Sequence, residues 1–449
     1  MKSFRAIAYG LLALISIGAG SVYWIGTDYL TQAPKVATSM GAKLACSARY
    51  VSGFDQALAR QDLSSYSPIL DELSLTFDDK TKSVSAGLLG WQSRAQFREG
   101  LGCAIEFKDH TQVAVRMPLL PKVQAPWPAG NQLTAGDEKL QALLETLVDE
   151  DNAQGLQTRA LLLVHKGQLI AEAYGPGVTP ETPLLGWSMA KSMTAIAIGR
   201  LIKDGKLTLE ETRLFPEWAK DERASLSVKH LLTMTDGLGF NEVYEPGQDA
   251  TNMLFLQPSS AGFALEKPLQ HPPGQHFNYS SGTSNLLALL VKRKLDNSLQ
   301  AQVDYMAEAL YRPMGMQHLV FEADTGGSLV GSSYLYASGR DWARMGLLML
   351  NEGEINGERL LDADYVRAAR EPNGSLNETG YGFQFWLNNA SEGLRWPDLP
   401  IDAYGAMGNR AQMVMIVPSQ EAVVVRLGWT AGEYPTSRRV SQILQAVSR

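Results

Sequence analysis

The sequence predicts an α+β fold, in which an antiparallel sheet is flanked by helices and carries a helical subdomain. Three observations predict it. The stretch "RALLLVHKGQLIAEAYG" (159–175) holds two apolar runs that turn at Lys166 and Gly167, which reads as a hairpin. A second hairpin, "AQMVMIVPSQEAVVVRLGW" (411–429), lies near the other end and turns at Pro418 to Glu421. Between them run helical patterns, so the two hairpins are expected to complete one sheet from both ends of the domain rather than to alternate as βαβ units.

The elements follow in chain order. Lys2 and Arg5 precede an uncharged stretch from Ile7 to Ile25, which as a helix is roughly 28 Å long and matches a bilayer core. Tyr23 and Trp24 close it with interfacial aromatics, and Asp28 follows. With the positive end inside, the body faces the periplasm from the cytoplasmic membrane. The competing reading is a signal peptide cleaved near Ala19 and Ser21, which releases the body to the periplasm. Residues 1–28 are therefore expected to form a signal anchor. Residues 29–130 are expected to form an extracytoplasmic cap and connector, the cap proper running from 46 to about 115. "MPLLPKVQAPWPAG" places Pro118, Pro121, Pro126 and Pro128 close together, a stiff connector. The main domain, 131–449, opens with the helical pattern "EKLQALLETLVDE" and ends with the helix "SRRVSQILQAVSR".

Composition narrows the function classes. The 449 residues include 45% hydrophobic and 19% charged side chains, values of a globular chain with a large core. Lys plus Arg number 40 against 47 Asp plus Glu, a net charge of −7 without a basic run, which argues against nucleic acid as a partner. The two cysteines, Cys46 and Cys103, are expected to pair once exported, the alternative being two buried thiols. No His, Cys, Asp or Glu cluster has metal-ligand spacing, so neither a metal nor an organic cofactor is expected.

The chemistry centres on "GWSMAKSMTAIAIGRLIKDGKL" (186–207), where Ser188 and Lys191 sit at the head of an apolar helix that Gly205 is placed to end. Residues three apart share a helix face. A serine hydroxyl becomes a nucleophile when a base takes its proton, and a lysine serves only if burial lowers its pKa. Helix-start N–H groups would favour a developing oxyanion. The plain alternative is a serine cap followed by a solvated lysine, which fits poorly with Met189, Ala190, Met193, Ala195 and Ile196 around it.

Further stretches extend the pattern: "HLLTMTDGLGF", "PPGQHFNYSSGTSNLLALLV", "GSSYLYASGRDWARMGLLMLNEG", "YGFQFW" and "YGAMGNRAQMVMIVP". In this order, over about residues 150–449, they resemble the serine β-lactamase and penicillin-binding-protein superfamily. The likeness is to the class C-like branch with its esterases, D-aminopeptidases and 6-aminohexanoate-dimer hydrolases. The resemblance implies a β-lactamase/DD-peptidase-like fold. It makes Ser188 the acylated nucleophile, Lys191 its proton acceptor and Tyr279 the residue that shares the relay and protonates the leaving group. It puts the oxyanion between the backbone N–H groups of Ser188 and Asn409. It makes Ser281 and Gly408 candidates for substrate contact; Arg410, two residues beyond Gly408, is a candidate carboxylate partner with solvated surface charge as its alternative, and Tyr381 and Trp386 in "GYGFQFWLN" are candidates to line a substrate cleft with core packing as theirs.

Two departures bear on the substrate. Ser281 stands where lactamases carry the asparagine of Tyr-x-Asn, and Ala406–Met407–Gly408 replaces Lys-Thr-Gly. The expected activity is hydrolysis of a small amide or ester through an acyl-enzyme. The alternatives are a β-lactamase or D-stereospecific peptidase on cell-wall fragments, and a binding protein that keeps the fold without catalysis. "GWSMA" also resembles a nucleophile elbow, but no histidine beyond Ser188 falls in a late loop after the last strand, as an α/β-hydrolase requires. Asp341, in "DWARMG", is expected to cap a helix. The oligomeric state is not legible.

Overall fold

The computed structural model describes residues 27–110 and 113–447. The apolar stretch Ile7–Ile25 lies outside them, and among the described residues no helix is long and apolar enough to cross a membrane. The first element is helix α1 (Thr27–Tyr50), followed by α2 (Gln56–Ser64) with Asp55 accepting from the Leu58 N–H as its cap. Strands β1 (Ser74–Asp78), β2 (Ser83–Leu88), β3 (Trp91–Arg98) and β4 (Gly102–Ile105) form an antiparallel meander. Helix α1 lies across this sheet, and the disulfide Cys46–Cys103 joins it to β4.

The helix begins well before Cys46, where the sequence pattern put the start of the cap. Its small residues Ala42 and Ala45 are fully buried and let it lie close to its neighbours, and the hydroxyl of Thr38 takes up the Pro34 carbonyl. The proline-rich connector has no regular structure but is pinned. Arg344, wholly buried, donates to the carbonyls of Pro128 and Gly130 and stacks on Trp127.

The main domain opens with α3 (Glu138–Ala153), β5 (Thr158–His165) and β6 (Gln168–Tyr174). A small antiparallel sheet of β7 (Leu184–Leu185), β8 (Leu319–Phe321) and β9 (Leu335–Ala337) follows. The large sheet is completed by β10 (Trp386–Leu387), β11 (Tyr404–Gly408), β12 (Gln412–Val417) and β13 (Ala422–Gly428), in the order β10-β11-β12-β13-β5-β6 and antiparallel throughout. Both expected hairpins form: His165 faces Gln168, and Val417 faces Ala422. The pairing of β13 with β5, Val424 opposite Leu163, is what closes one sheet from both ends of the domain.

Alternation along the central strands sorts the core into two layers. Leu161, Leu163 and Val424 pack against Leu144, Leu147 and Ile443 of α3 and the closing helix. Leu162, Val164, Val423 and Val425 face the other core, which holds α4 (Met189–Lys203), α5 (Ser281–Lys294) and α6 (Gly339–Leu350). The closing helix is α7 (Thr436–Val447). Ser338, not Asp341, caps α6 by accepting the Asp341 N–H. Asp341 is fully buried in the first turn, where it accepts the backbone N–H groups of Gln317 and His318 and pairs with Arg344.

Candidate active site

The site is assembled at the start of α4. Trp187 holds a left-handed φ of 48°, a conformation that costs a bulky residue energy and turns the chain sharply into the helix. Ser188 follows as the helix cap residue. The N–H groups of Met189, Ala190 and Lys191 are taken up by the carbonyls of Gly186, Trp187 and Ser188, whereas the Ser188 N–H has no partner among the described residues. The helix ends at Lys203, and Gly205 takes the left-handed position beyond it.

Helix α4 is buried on nearly every side from Met189 to Gly199, and Lys191 is 1% exposed. Its Nζ lies 3.2 Å from Ser188 Oγ, 2.9 Å from Ser281 Oγ and 3.1 Å from the Ser332 carbonyl. Burial lowers its pKa to about 8, with the Glu242 carboxylate opposing that fall. A neutral amine has two hydrogens and one lone pair. The three contacts account for all of them: it donates to Ser332 and Ser281 and accepts from the Ser188 hydroxyl. Ser281 can accept because its own hydroxyl proton goes to Glu242 Oε1 at 2.5 Å.

Tyr279 completes the group. Its ring stacks on Trp386 at 5.0 Å, and Lys191 Nζ lies 5.0 Å over its face. Burial and the Glu242 carboxylate push its phenol up, while the interaction with the Ser188 side chain acts the other way. The tyrosine thus stays protonated at neutral pH. Gly408, at the end of β11, lies so close to the Gly186 carbonyl that a Cβ would come within 2.1 Å of it. That approach brings the following residue, Asn409, to the Ser188 end of the helix.

A family model described as Beta-lactamase matches residues 140–446. The chain belongs to the beta-lactamase family. It is a serine hydrolase of the β-lactamase and penicillin-binding-protein superfamily. The 6-aminohexanoate-dimer hydrolase of Paenarthrobacter ureafaciens is 24% identical over 324 residues, 64% of this chain and 77% of the relative. The fold resembles a penicillin-binding protein homolog from Caulobacter crescentus, with TM-score 0.56 and 15% identity, covering 70% of this chain and 98% of that one. It also resembles the D-amino acid amidase from Ochrobactrum anthropi SV3, with TM-score 0.53 and 15% identity, covering 69% and 99%. Helix α1 and the β1–β4 sheet lie outside the β-lactamase match.

Several candidates sit differently from their expected place. Ser281 is fully buried and its hydroxyl is engaged by Lys191 and Glu242, so it belongs to the lysine's surroundings rather than to a substrate surface. Arg410 is turned away by its left-handed φ of 61°; its guanidinium stacks 3.7 Å over Tyr66 and donates to the Ser65 carbonyl. Tyr381 is 1% exposed beneath Trp386, so it supports the Tyr279–Trp386 stack from behind, whereas Trp386 itself is half-buried.

Two participants escaped the sequence reading. Glu242 accepts from the Ser281 N–H and hydroxyl and from the Tyr244 hydroxyl. It lies in "GFNEVYEPG", a loop without helical or strand period, where a functional side chain is commonly carried. The Ser332 carbonyl is set by a pair of hydrogen bonds between Asn285 and Ser332, and a backbone acceptor leaves no residue-type signal at all.

Proposed function

We propose that this serine hydrolase cleaves a small amide or ester, 6-aminohexanoate-dimer hydrolase- or esterase-like in its activity, through an acyl-enzyme on Ser188. The observation that carries the reading is the wholly buried Lys191 amine at 3.2 Å from Ser188 Oγ, its pKa brought to about 8. Lys191 takes the Ser188 proton as Oγ adds to the substrate carbonyl. The oxyanion is held by the N–H groups of Ser188 and Asn409. As the C–O or C–N bond breaks, Tyr279 gives its proton to the departing alcohol or amine and regains one from Lys191. Water then adds to the acyl carbon, its proton passes to the same pair, and Ser188 leaves with a proton restored.

Two features favour small amides and esters over β-lactams. Ala406–Met407–Gly408 offers no cation or hydroxyl for a substrate carboxylate. Ser281 gives its hydroxyl proton to Glu242, so it has no donor left for a substrate side-chain amide. We place the enzyme at the cytoplasmic membrane with its body in the periplasm, on the strength of Lys2, Arg5 and the apolar stretch Ile7–Ile25.

The test is a fluorophosphonate probe on the fragment beginning near residue 29, with the adduct located by peptide mass. Labelling at Ser188, lost in Ser188→Ala and Lys191→Ala, is the expected result. A folded protein that neither the probe nor a β-lactam acylates moves the assignment to a binding protein with this fold.

A further inference from the structure

One residue from the nucleophile lies a cavity of about 270 Å³, reached through Trp187, Tyr244 and Asn409 and lined by neither Ser188 nor Lys191, to which the hydrolytic chemistry assigns no role. One wall is α1, which presents Ala33, Val36, Ala37 and Met40, a three- and four-residue spacing that lies along a single helix face. Facing them are Trp187, the residue before the nucleophile, and Asn409, whose amide serves the oxyanion. Two of the four α1 positions are alanines, and their small side chains leave the space open. The wall comes from outside the segment that the β-lactamase match covers.

Size and charge narrow the occupant. The cavity falls below the roughly 300–1,000 Å³ of a complete small-molecule site, so it fits one arm of a substrate. Among the described residues, Glu245 is the only charged side chain on its lining, and it repels an anionic arm. Which arm enters follows from the proton donor. Tyr279 protonates the leaving group, which therefore lies toward Tyr279 and Trp386. Neither residue lines the cavity. The group on the other side of the acyl carbon extends past the oxyanion amides, toward Trp187 and Asn409.

We infer that the cavity under α1 is an acyl-chain subsite, and that the enzyme prefers esters or amides of medium-length aliphatic acids whose chain carries no negative charge. The inference rests on the acyl-enzyme reading at Ser188 and adds the substrate class.

The experiment measures kcat/KM for p-nitrophenyl esters from acetate to decanoate, beside a series of acetate esters with lengthening alcohols. Each methylene that enters the cavity raises kcat/KM by about fourfold, levelling off near eight carbons, while the alcohol series stays flat. Ala37→Trp fills the cavity and flattens the acyl series, with acetate turnover held within about twofold. Ile69→Trp, at a lining position that is 36% exposed and so tolerant of bulk, does the same should the buried change unfold the protein. Calorimetry on Ser188→Ala gives a readout without turnover: octanoate binds at least tenfold more tightly than acetate, and Ala37→Trp or Ile69→Trp in that background removes the difference. A flat acyl series in an enzyme that labels at Ser188 and hydrolyses the acetate overturns the subsite alone, as does a chain-length effect confined to the alcohol. Absence of both labelling and ester turnover overturns the acyl-enzyme reading, and octanoate binding no tighter than acetate then overturns the subsite as well.

Discussion

At the scale of the residue, the proposed base Lys191 makes a pH prediction. Its amine accepts a proton only when neutral, and burial brings its pKa down to about 8. kcat/KM should therefore rise about tenfold per pH unit from pH 6 and level above pH 8, as a pH–rate profile on an ester that does not itself titrate will show. Glu242 holds the lysine pKa up, so Glu242→Gln should move that limb to lower pH; a shift to higher pH contradicts the assignment. Stability carries the same signature with its own sign. The folded pKa lies below the unfolded value of about 10.4, so the unfolded chain binds the proton more readily and stability rises with pH between about 8 and 10. Lys191→Met should accordingly melt above the native protein at pH 7, inactive, with an advantage that shrinks across that window; thermal melts at pH 7, 8.5 and 10 check it. Tyr279→Phe should lose on the order of 10²–10³ in kcat on an amide and much less on a p-nitrophenyl ester, whose leaving group needs no proton.

At the scale of the element, the geometry depends on close backbone approach and on the clamp between α1 and the hydrolase domain. Gly408 meets the Gly186 carbonyl, and Gly408→Ala must push β11 away from the start of α4. The expected outcome is a fall in kcat with the oxyanion displaced, measured beside a melt that shows the fold retained. Glu322 is fully buried next to β8. It pairs with Lys43 of α1 and accepts from the Ser47 hydroxyl and the Cys103 N–H. Glu322→Ala leaves the Lys43 ammonium buried without its partner and should cost about 3–5 kcal/mol in urea denaturation, most of it recovered in the Lys43→Met, Glu322→Leu double variant. These elements were partly legible. The hairpins and the α4 boundaries follow from local period and from Gly205, whereas the extent of α1 does not, because its stabilising contacts with β2, β3 and β4 come from later in the chain.

At the scale of the whole molecule, α1, the β1–β4 sheet and the hydrolase domain share buried contacts. Asp62 pairs with Arg159 of β5, Trp429 donates its indole N–H to the Asp62 carbonyl, and Arg98 reaches the Ala323 carbonyl. Calorimetry should show one unfolding transition rather than two. Removing Cys46 and Cys103 together should lower stability by up to about 4 kcal/mol, the loop-closure value for a bridge spanning 57 residues. The sequence by itself determined the two hairpins and the serine–lysine pair on one turn of a buried helix. Each is set by spacing and side-chain chemistry within a short stretch, where the hydrophobic period and local hydrogen bonding act directly. Only the tertiary structure decided that Ser281 faces Glu242 instead of a substrate, that Arg410 is drawn onto Tyr66, and that α1 closes a cavity beside Trp187. Those arrangements depend on groups many residues apart, whose approach is fixed by burial of apolar surface and by satisfaction of buried charge, and no local pattern encodes it.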